Sequence, residues 1–209
     1  MLGCMVKSRL IFCDFDGVIR HWDNSTLFEY EEELGLQKGM TFRHAFRADL
    51  LVPAITGEVS DEVWRGRVEP SLSAEIGAQH AARLIELWNS SGYQIDQTII
   101  EYFRQSLPKY KLALVTNATS RLDQDLSTIG LIGTFDFVIN SADLGVAKPD
   151  HGYYQKAIKI TDADVTHSIF IDDSQKNVTA AEQVGLVAFY FEGIEQLKKE
   201  IQTWQETKR

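Results

Sequence analysis

Several polar clusters in the chain stand where a short apolar run ends. Asp14-Phe15-Asp16-Gly17-Val18 follows Leu10-Ile11-Phe12-Cys13, and Thr116-Asn117 follows Leu112 to Val115. Asp143 to Asp150, with Lys148-Pro149 inside it, comes after Phe135 to Ile139, and Asp172-Asp173-Ser174 comes after Ile169-Phe170-Ile171. Ligands of open parallel sheets bind at the carboxyl ends of the strands. If these runs are neighbouring strands, Asp14, Asp16, Asp172 and Asp173 therefore share one edge with Lys148. Two carboxylates about 4 Å apart repel by roughly 4 kcal/mol at an effective dielectric of about 20, so the group persists only if protonated or neutralised by a cation. Hard, all-oxygen ligands favour Mg²⁺, which takes one or two carboxylates together with waters and a substrate phosphate. Thr116, Asn117 and Lys148 are the donors a phosphoryl group needs. The chemistry that fits is metal-assisted phosphoryl transfer, in which positioning and charge neutralisation supply most of the catalysis.

The elements that must hold these residues are legible from the apolar pattern. The four runs above and Val187 to Phe191 suit strands buried on both faces, as in a parallel sheet. Helical stripes lie between them: Leu122, Leu126 and Ile129 ahead of Gly130; Tyr154, Ala157 and Ile158; Val178, Ala181 and Val184 ahead of Gly185. Ile194, Leu197, Ile201 and Trp204 form the stripe of a last helix that docks on the sheet. This alternation predicts an α/β fold, a doubly wound parallel sheet with a Rossmann-like core.

The stretch from about 21 to 88 breaks the rhythm and shows no strand run. Thr26 and Glu29 suggest a capping box ahead of a helix with Leu27, Tyr30 and Leu34. Phe42, Ala45, Phe46, Asp49 and Leu50 suggest a second helix, and Glu62 to Arg67 a third. We read 1–20 with 89–209 as the α/β core and 21–88 as a small helical cap inserted after the first strand. Crossover helices on the sheet are the alternative, but they need far fewer residues. Helical spacing makes Phe42 and Phe46 core, Arg43 or Arg47 is a candidate for meeting an anionic substrate, and Trp64 suits pocket wall or packing equally. His21 and Trp22 follow the Asp14 loop closely enough to touch a leaving group, or pack between cap and core.

Composition bounds the rest. At 209 residues the chain buries roughly 70% of its unfolded surface without needing staples. Thirty acidic against 21 basic side chains give a net charge of −9, with no basic cluster, which excludes general nucleic-acid binding. No run approaches the length of a membrane span. The two cysteines make no disulfide framework; Cys13, in an apolar run, reads as a buried inert thiol of a reducing compartment, and the expected location is cytoplasmic. Met1-Leu2-Gly3-Cys4 faintly matches a lipoprotein cleavage site, but no long apolar stretch precedes it and we read it as accidental. A monomer is the default expectation.

In order and context, Asp14-Phe15-Asp16-Gly17-Val18, Thr116-Asn117, Lys148-Pro149 and Asp172-Asp173 resemble the four motifs of the haloacid dehalogenase-like hydrolase superfamily. The resemblance implies Asp14 as the nucleophile of an aspartyl-phosphate intermediate and Asp16 as the acid that protonates the leaving group and then activates water. It implies that Thr116, with the backbone of Asn117, binds phosphate oxygens, and that Lys148 holds Asp14 and the phosphate together. Asp173 is then the direct Mg²⁺ ligand and Asp172 acts through water, with Asp14 and the backbone carbonyl of Asp16 completing the metal set. Asn177 stands where some relatives carry a further acid.

Simpler readings exist for each piece. An aspartate after a strand is often a helix cap or turn former, a strand-end threonine is often only β-branched filler, and a lone lysine is usually solvated. Asp-x-Asp-Gly also echoes a calcium loop, although the preceding strand and the missing downstream ligands speak against it. The helical insertion resembles the small caps of sugar-phosphate and phosphoglycolate phosphatases. The function expected is thus a Mg²⁺-dependent phosphatase acting on a small phosphorylated metabolite, a sugar phosphate or similar. A sugar phosphomutase and a catalytically idle binding module are the alternatives; dehalogenation is disfavoured because Asp16 is present.

Overall fold

The computed structural model describes residues 7–207, so the Met1–Cys4 opening lies outside the described residues. Its centre is a five-stranded sheet, all parallel, in which β1 (Leu10–Cys13) is flanked by β4 (Lys111–Thr116) and β6 (Ile169–Asp172), with β5 (Phe137–Asn140) and β7 (Val187–Tyr190) at the edges. These are the five apolar runs, and the doubly wound α/β fold stands as expected. Alternation along β1 explains why it reads as a continuous run. Ile11 and Cys13 enter one buried cluster with Leu112, Leu114, Phe103 and Leu197, whereas Leu10 and Phe12 enter another with Val115, Phe170, Tyr153 and Tyr154. Helices α6 (Gln97–Ser106) and α11 (Ile194–Thr207) cover the first face; α9 (His151–Thr161) and α10 (Gln175–Gln183) cover the second. Burial on both faces removes the apolar surface of β1 and β6 from water, which stabilises the fold by about 25 cal/mol per Å².

Between β1 and α6 the chain leaves the sheet. An antiparallel ribbon, β2 (Arg20–Asp23) and β3 (Gly92–Ile95), pairs Arg20 with Ile95 and Trp22 with Tyr93. At its far end it carries five helices: α1 (Ser25–Glu33), α2 (Met40–Ala45), α3 (Ala48–Ile55), α4 (Asp61–Ile76) and α5 (Ala78–Asn89). They bury their own clusters, Met40, Ala45, Trp64, Val68 and Leu72 in one and Leu27, Leu84 and Leu87 in the other.

Three local expectations need correction. The stretch does contain a strand, β2, whose last three residues are exposed, so no apolar pattern betrays it. Asn24, not Thr26, stands at the start of α1 and makes no side-chain cap, so the capping box does not form. The single second helix is two, broken at Phe46 and Arg47.

The insertion meets the sheet's carboxyl edge at two places. Gly57, with φ +75°, lets its loop lie so close to the helix α8 (Ser141–Leu144) that a Cβ would come 2.2 Å from the Ala142 carbonyl oxygen. Asp61, at the start of α4, accepts the Thr119 hydroxyl at 2.7 Å and the Arg65 Nε at 2.8 Å.

Candidate active site

Parallel pairing continues one residue past β1: the Asp14 amide donates to the Ile171 carbonyl at 2.9 Å, which places Asp14 beside the end of β6. Its Oδ1 accepts the Phe15 amide at 2.7 Å and faces Lys148 Nζ at 2.9 Å. The same Nζ donates to Asp172 Oδ2 at 2.6 Å and to the Val115 carbonyl at 3.0 Å. An ammonium has three protons, and all three are directed. Asp172 is fully buried, and its other oxygen accepts the Ser174 amide and Asn177 Nδ2, both at 2.9 Å. Asp14, Asp172 and Asp173 each offer an oxygen within 4.8 Å of the others. The structure thus brings together Asp14, Asp172 and Asp173 from two neighbouring strand ends and Lys148 from the turn after α8.

The charges do not balance within the protein. Burial lowers the Lys148 ammonium, but Asp14 and Asp172 raise it by more, so it stays charged. One ammonium between two buried carboxylates leaves one negative charge over. Accordingly, burial holds the Asp14 carboxyl well above the ordinary range; Lys148 opposes that shift and Asp172 adds to it. Asp173 is raised by desolvation and then by the charge of Asp172. A divalent cation held at this cluster would remove the surplus, and an all-oxygen set suits Mg²⁺.

Asp16 is held differently. Its Oδ1 and Oδ2 accept Arg20 Nε at 2.7 Å and Nη2 at 2.9 Å, and Oδ1 also accepts the Trp22 indole N–H at 2.8 Å. Its carboxylate is therefore not part of the acidic trio. Of the four acids expected to share the sheet edge, the carboxylates of Asp14, Asp172 and Asp173 gather and that of Asp16 turns to Arg20. Arg20 is buried, lies 4.3 Å from the Phe15 ring centroid and 4.4 Å from that of Trp22, and reaches Asp125 with Nη1 at 3.0 Å.

Other expected residues take supporting roles. Asn117 uses its whole side-chain amide on the Lys148 backbone: Nδ2 donates to the carbonyl at 2.8 Å and Oδ1 accepts the amide at 2.8 Å. Thr116, buried at the end of β4, sits beside Asn117. Asp172 is bonded directly to Lys148 and Asn177, so it orients the lysine as well as standing near the cation position. Gly17 has φ +86°, and a Cβ there would fall 1.9 Å from Asp173 Oδ2; the loop after Asp14 packs against the third carboxylate because this residue has no side chain. Cys13 is buried, as expected, and its thiol is pushed up chiefly by desolvation.

Sequence reasoning missed Arg20 and the cavity beyond it. A space of about 600 Å³ opens between the sheet edge and the insertion, reached from Asp16 and Asn117. Phe42, Phe46, Trp64 and Trp88 line one side, Trp22 and Tyr93 another. Phe46, expected in the core, is 53% exposed and faces this space. Trp64 serves both of its proposed uses, lining the cavity while its indole N–H donates to the Ala45 carbonyl at 2.9 Å. The arginines around the cavity are Arg20, Arg65 and Arg121; Arg47 instead pairs with Asp49 at 2.8 Å on the surface, and Arg43 does not line the space. An arginine four residues after the second aspartate was the available signal, since that spacing suits an ion pair.

The family model for haloacid dehalogenase-like hydrolases matches residues 83–190, just over half of the chain. The chain belongs to the haloacid dehalogenase-like hydrolase family. Among curated members, it is 35% identical over 88 residues to haloacid dehalogenase-like hydrolase domain-containing protein 3 of Bos taurus, covering 42% of this chain and 35% of that protein. It is 39% identical over 56 residues to the sesquiterpene phosphatase astK of Aspergillus oryzae, covering 27% and 29%. The matched segments thus span about a third of these relatives. A solved family enzyme of Bacteroides thetaiotaomicron, bt-2542, in complex with magnesium and inorganic phosphate, superposes with a TM-score of 0.66 at 16% identity, over 88% of this chain and 93% of that one. At that identity the likeness shows the fold. Among the described residues no helix is long and apolar enough to cross a membrane.

Proposed function

We propose that this hydrolase is a Mg²⁺-dependent phosphatase that cleaves a small phosphomonoester through an aspartyl-phosphate on Asp14. The observation that carries the reading is Lys148 Nζ, seated between Asp14 Oδ1 and Asp172 Oδ2 with Asp173 beside them. A buried lysine held by two acids on a strand edge neutralises an incoming phosphoryl group while keeping the nucleophile oriented. Asp14, Asp172 and Asp173 would hold the cation, with the backbone carbonyl of Asp16 as the fourth proposed contact. Bound there, Mg²⁺ supplies further neutralisation of phosphoryl charge.

An Asp14 carboxylate oxygen attacks phosphorus, the bond from phosphorus to the alcohol oxygen breaks, and Asp16 gives that oxygen its proton. Water then attacks the acyl phosphate while Asp16 takes a proton back, releasing phosphate and restoring Asp14. Three N–H donors, two from Arg20 and one from Trp22, hold the Asp16 carboxylate in position. The small insertion acts as a cap that excludes bulk water and selects the leaving group. The magnesium–phosphate complex of bt-2542 and the curated sesquiterpene phosphatase support phosphate-ester hydrolysis as the reaction.

The test is phosphate release from an aryl phosphate and a panel of alkyl and sugar phosphates, with and without Mg²⁺, in wild type and Asp14→Asn. Metal-dependent release that collapses in the variant supports the reading. Equal release from both proteins defeats it, and isomerised sugar phosphate without free phosphate indicates a mutase.

A further inference from the structure

The alcohol half of the substrate must occupy the space next to the phosphoryl site, and its walls state a preference. Phe46 stacks on Phe42 at 5.3 Å and 15° and lies nearly parallel to Trp64 at 6.4 Å, and Trp64 meets Trp88 edge-on at 5.3 Å. Across the space, Trp22 meets Tyr93 edge-on at 5.6 Å. Trp22, Phe46 and Tyr93 are 44%, 53% and 39% exposed, and all three line this cavity. Large aromatic faces left uncovered around a single concave space mark a binding surface. At about 600 Å³ it falls in the ordinary range for small-molecule pockets, roughly 300–1,000 Å³.

The charged wall groups, by contrast, are largely paired with each other. Asp61 is taken by Thr119 and Arg65, and Arg65 also by Asn89 at 2.9 Å. Asp125 is taken by Arg20 at 3.0 Å and Arg121 at 2.9 Å, Asp16 by Arg20 and Trp22, and the Asn117 amide by Lys148. A sugar entering here would trade the water on several hydroxyls for few open partners, which costs binding at each unpaired group. An apolar body would cover the exposed rings and ask for none.

Resting on the phosphatase reading, we infer that the substrate is the phosphate monoester of a bulky apolar alcohol and not a sugar phosphate. The phosphate lies at Asp14 and Lys148, the ester oxygen faces Asp16, and the hydrophobic body fills the space between Trp22 and Phe46.

The test compares kcat/KM for 2-(2-naphthyl)ethyl phosphate and n-octyl phosphate with that for glucose 6-phosphate, all three being esters of primary alcohols. The two hydrophobic esters separate a preference for flat rings from one for any apolar chain. At least one should exceed the sugar ester by roughly 100-fold or more, the scale over which a pocket distinguishes differences of a few methylenes. Phe46→Ala, truncating an exposed side chain, should cut that ratio by roughly 10-fold through KM. Binding is read apart from turnover by titrating Asp14→Asn with n-octyl phosphate and following tryptophan emission, since Trp22, Trp64 and Trp88 line the space. A shift that glucose 6-phosphate does not produce supports the pocket even where hydrolysis fails, which would sink the phosphatase reading alone. Equal or better use of the sugar ester, or no emission change with n-octyl phosphate together with an unchanged ratio in Phe46→Ala, overturns the inference and leaves the phosphatase standing.

Discussion

Arg20 closes two of its nitrogens on the two oxygens of Asp16, Nε on Oδ1 at 2.7 Å and Nη2 on Oδ2 at 2.9 Å, while its third nitrogen holds Asp125. A planar fork does this and an ammonium does not. Arg20→Lys keeps the charge but frees Asp16 from its set position. We expect kcat to fall by about 10²-fold on alkyl phosphates, whose alkoxide needs a proton, and by far less on 4-nitrophenyl phosphate, whose phenolate does not. An equal loss on both esters, with a normal melting curve, contradicts the positioning role.

Asn117 spends its amide on the Lys148 backbone with two hydrogen bonds of 2.8 Å. Asn117→Ala removes both, a loss of about 1–3 kcal/mol in urea unfolding. Activity should fall by more than 10-fold because Lys148 Nζ loses its seat. Full activity in a protein destabilised by that amount would show that Lys148 is positioned without Asn117.

Gly17 separates conformational strain from collision. A Cβ at Gly17 strikes Asp173 Oδ2, whereas Gly35, with φ +68°, has nothing within 4 Å of a Cβ. Gly17→Ala and Gly35→Ala should both lose about 1–3 kcal/mol of stability from the left-handed backbone. Only Gly17→Ala should also weaken Mg²⁺ binding in calorimetry. Equal Mg²⁺ affinity in the two variants contradicts the link between this loop and the carboxylates.

Proton release follows from the same crowding. Burial raises Asp14 despite Lys148, and desolvation with the Asp172 charge raises Asp173. Carboxyls raised in this way keep their protons to higher pH, so Mg²⁺ must displace them. Affinity should therefore fall as pH drops from about 8 to about 5, with protons released on binding. Calorimetry in two buffers of different ionisation enthalpy reads this directly; equal heats and a flat affinity contradict it. Saturating Mg²⁺ should also raise the melting temperature, by about 2.7 kcal/mol of stability at a hundredfold excess over Kd.

Much of this was legible because buried parallel strands advertise themselves. Leu10–Cys13 and Ile169–Asp172 are buried along their whole length, so their ends, and with them Asp14 and Asp172, were found from hydrophobicity alone. Lys148 lies in the turn that follows β5 and α8, and that turn carries it back to the two acids. The ribbon was hidden: Arg-His-Trp-Asp and Gly-Tyr-Gln-Ile pair at the surface, exposed or half-exposed except at Arg20, with no face to alternate. Phe46 was misread for a related reason. Helical spacing places a ring on a face, but whether that face meets protein or an open cavity is decided by the sheet edge opposite it. The Asp16 carboxylate was expected among the acids of the sheet edge, yet its direction is set by Arg20, within the turn that follows.

The most direct test of the whole account is to quench the enzyme with acid during turnover of a phosphomonoester in Mg²⁺ and locate covalent phosphate by peptide mass spectrometry. The account predicts one phosphoryl group on Asp14, absent in Asp14→Asn, which should also release no phosphate. A phosphoryl group on another residue, or steady hydrolysis by Asp14→Asn, contradicts it.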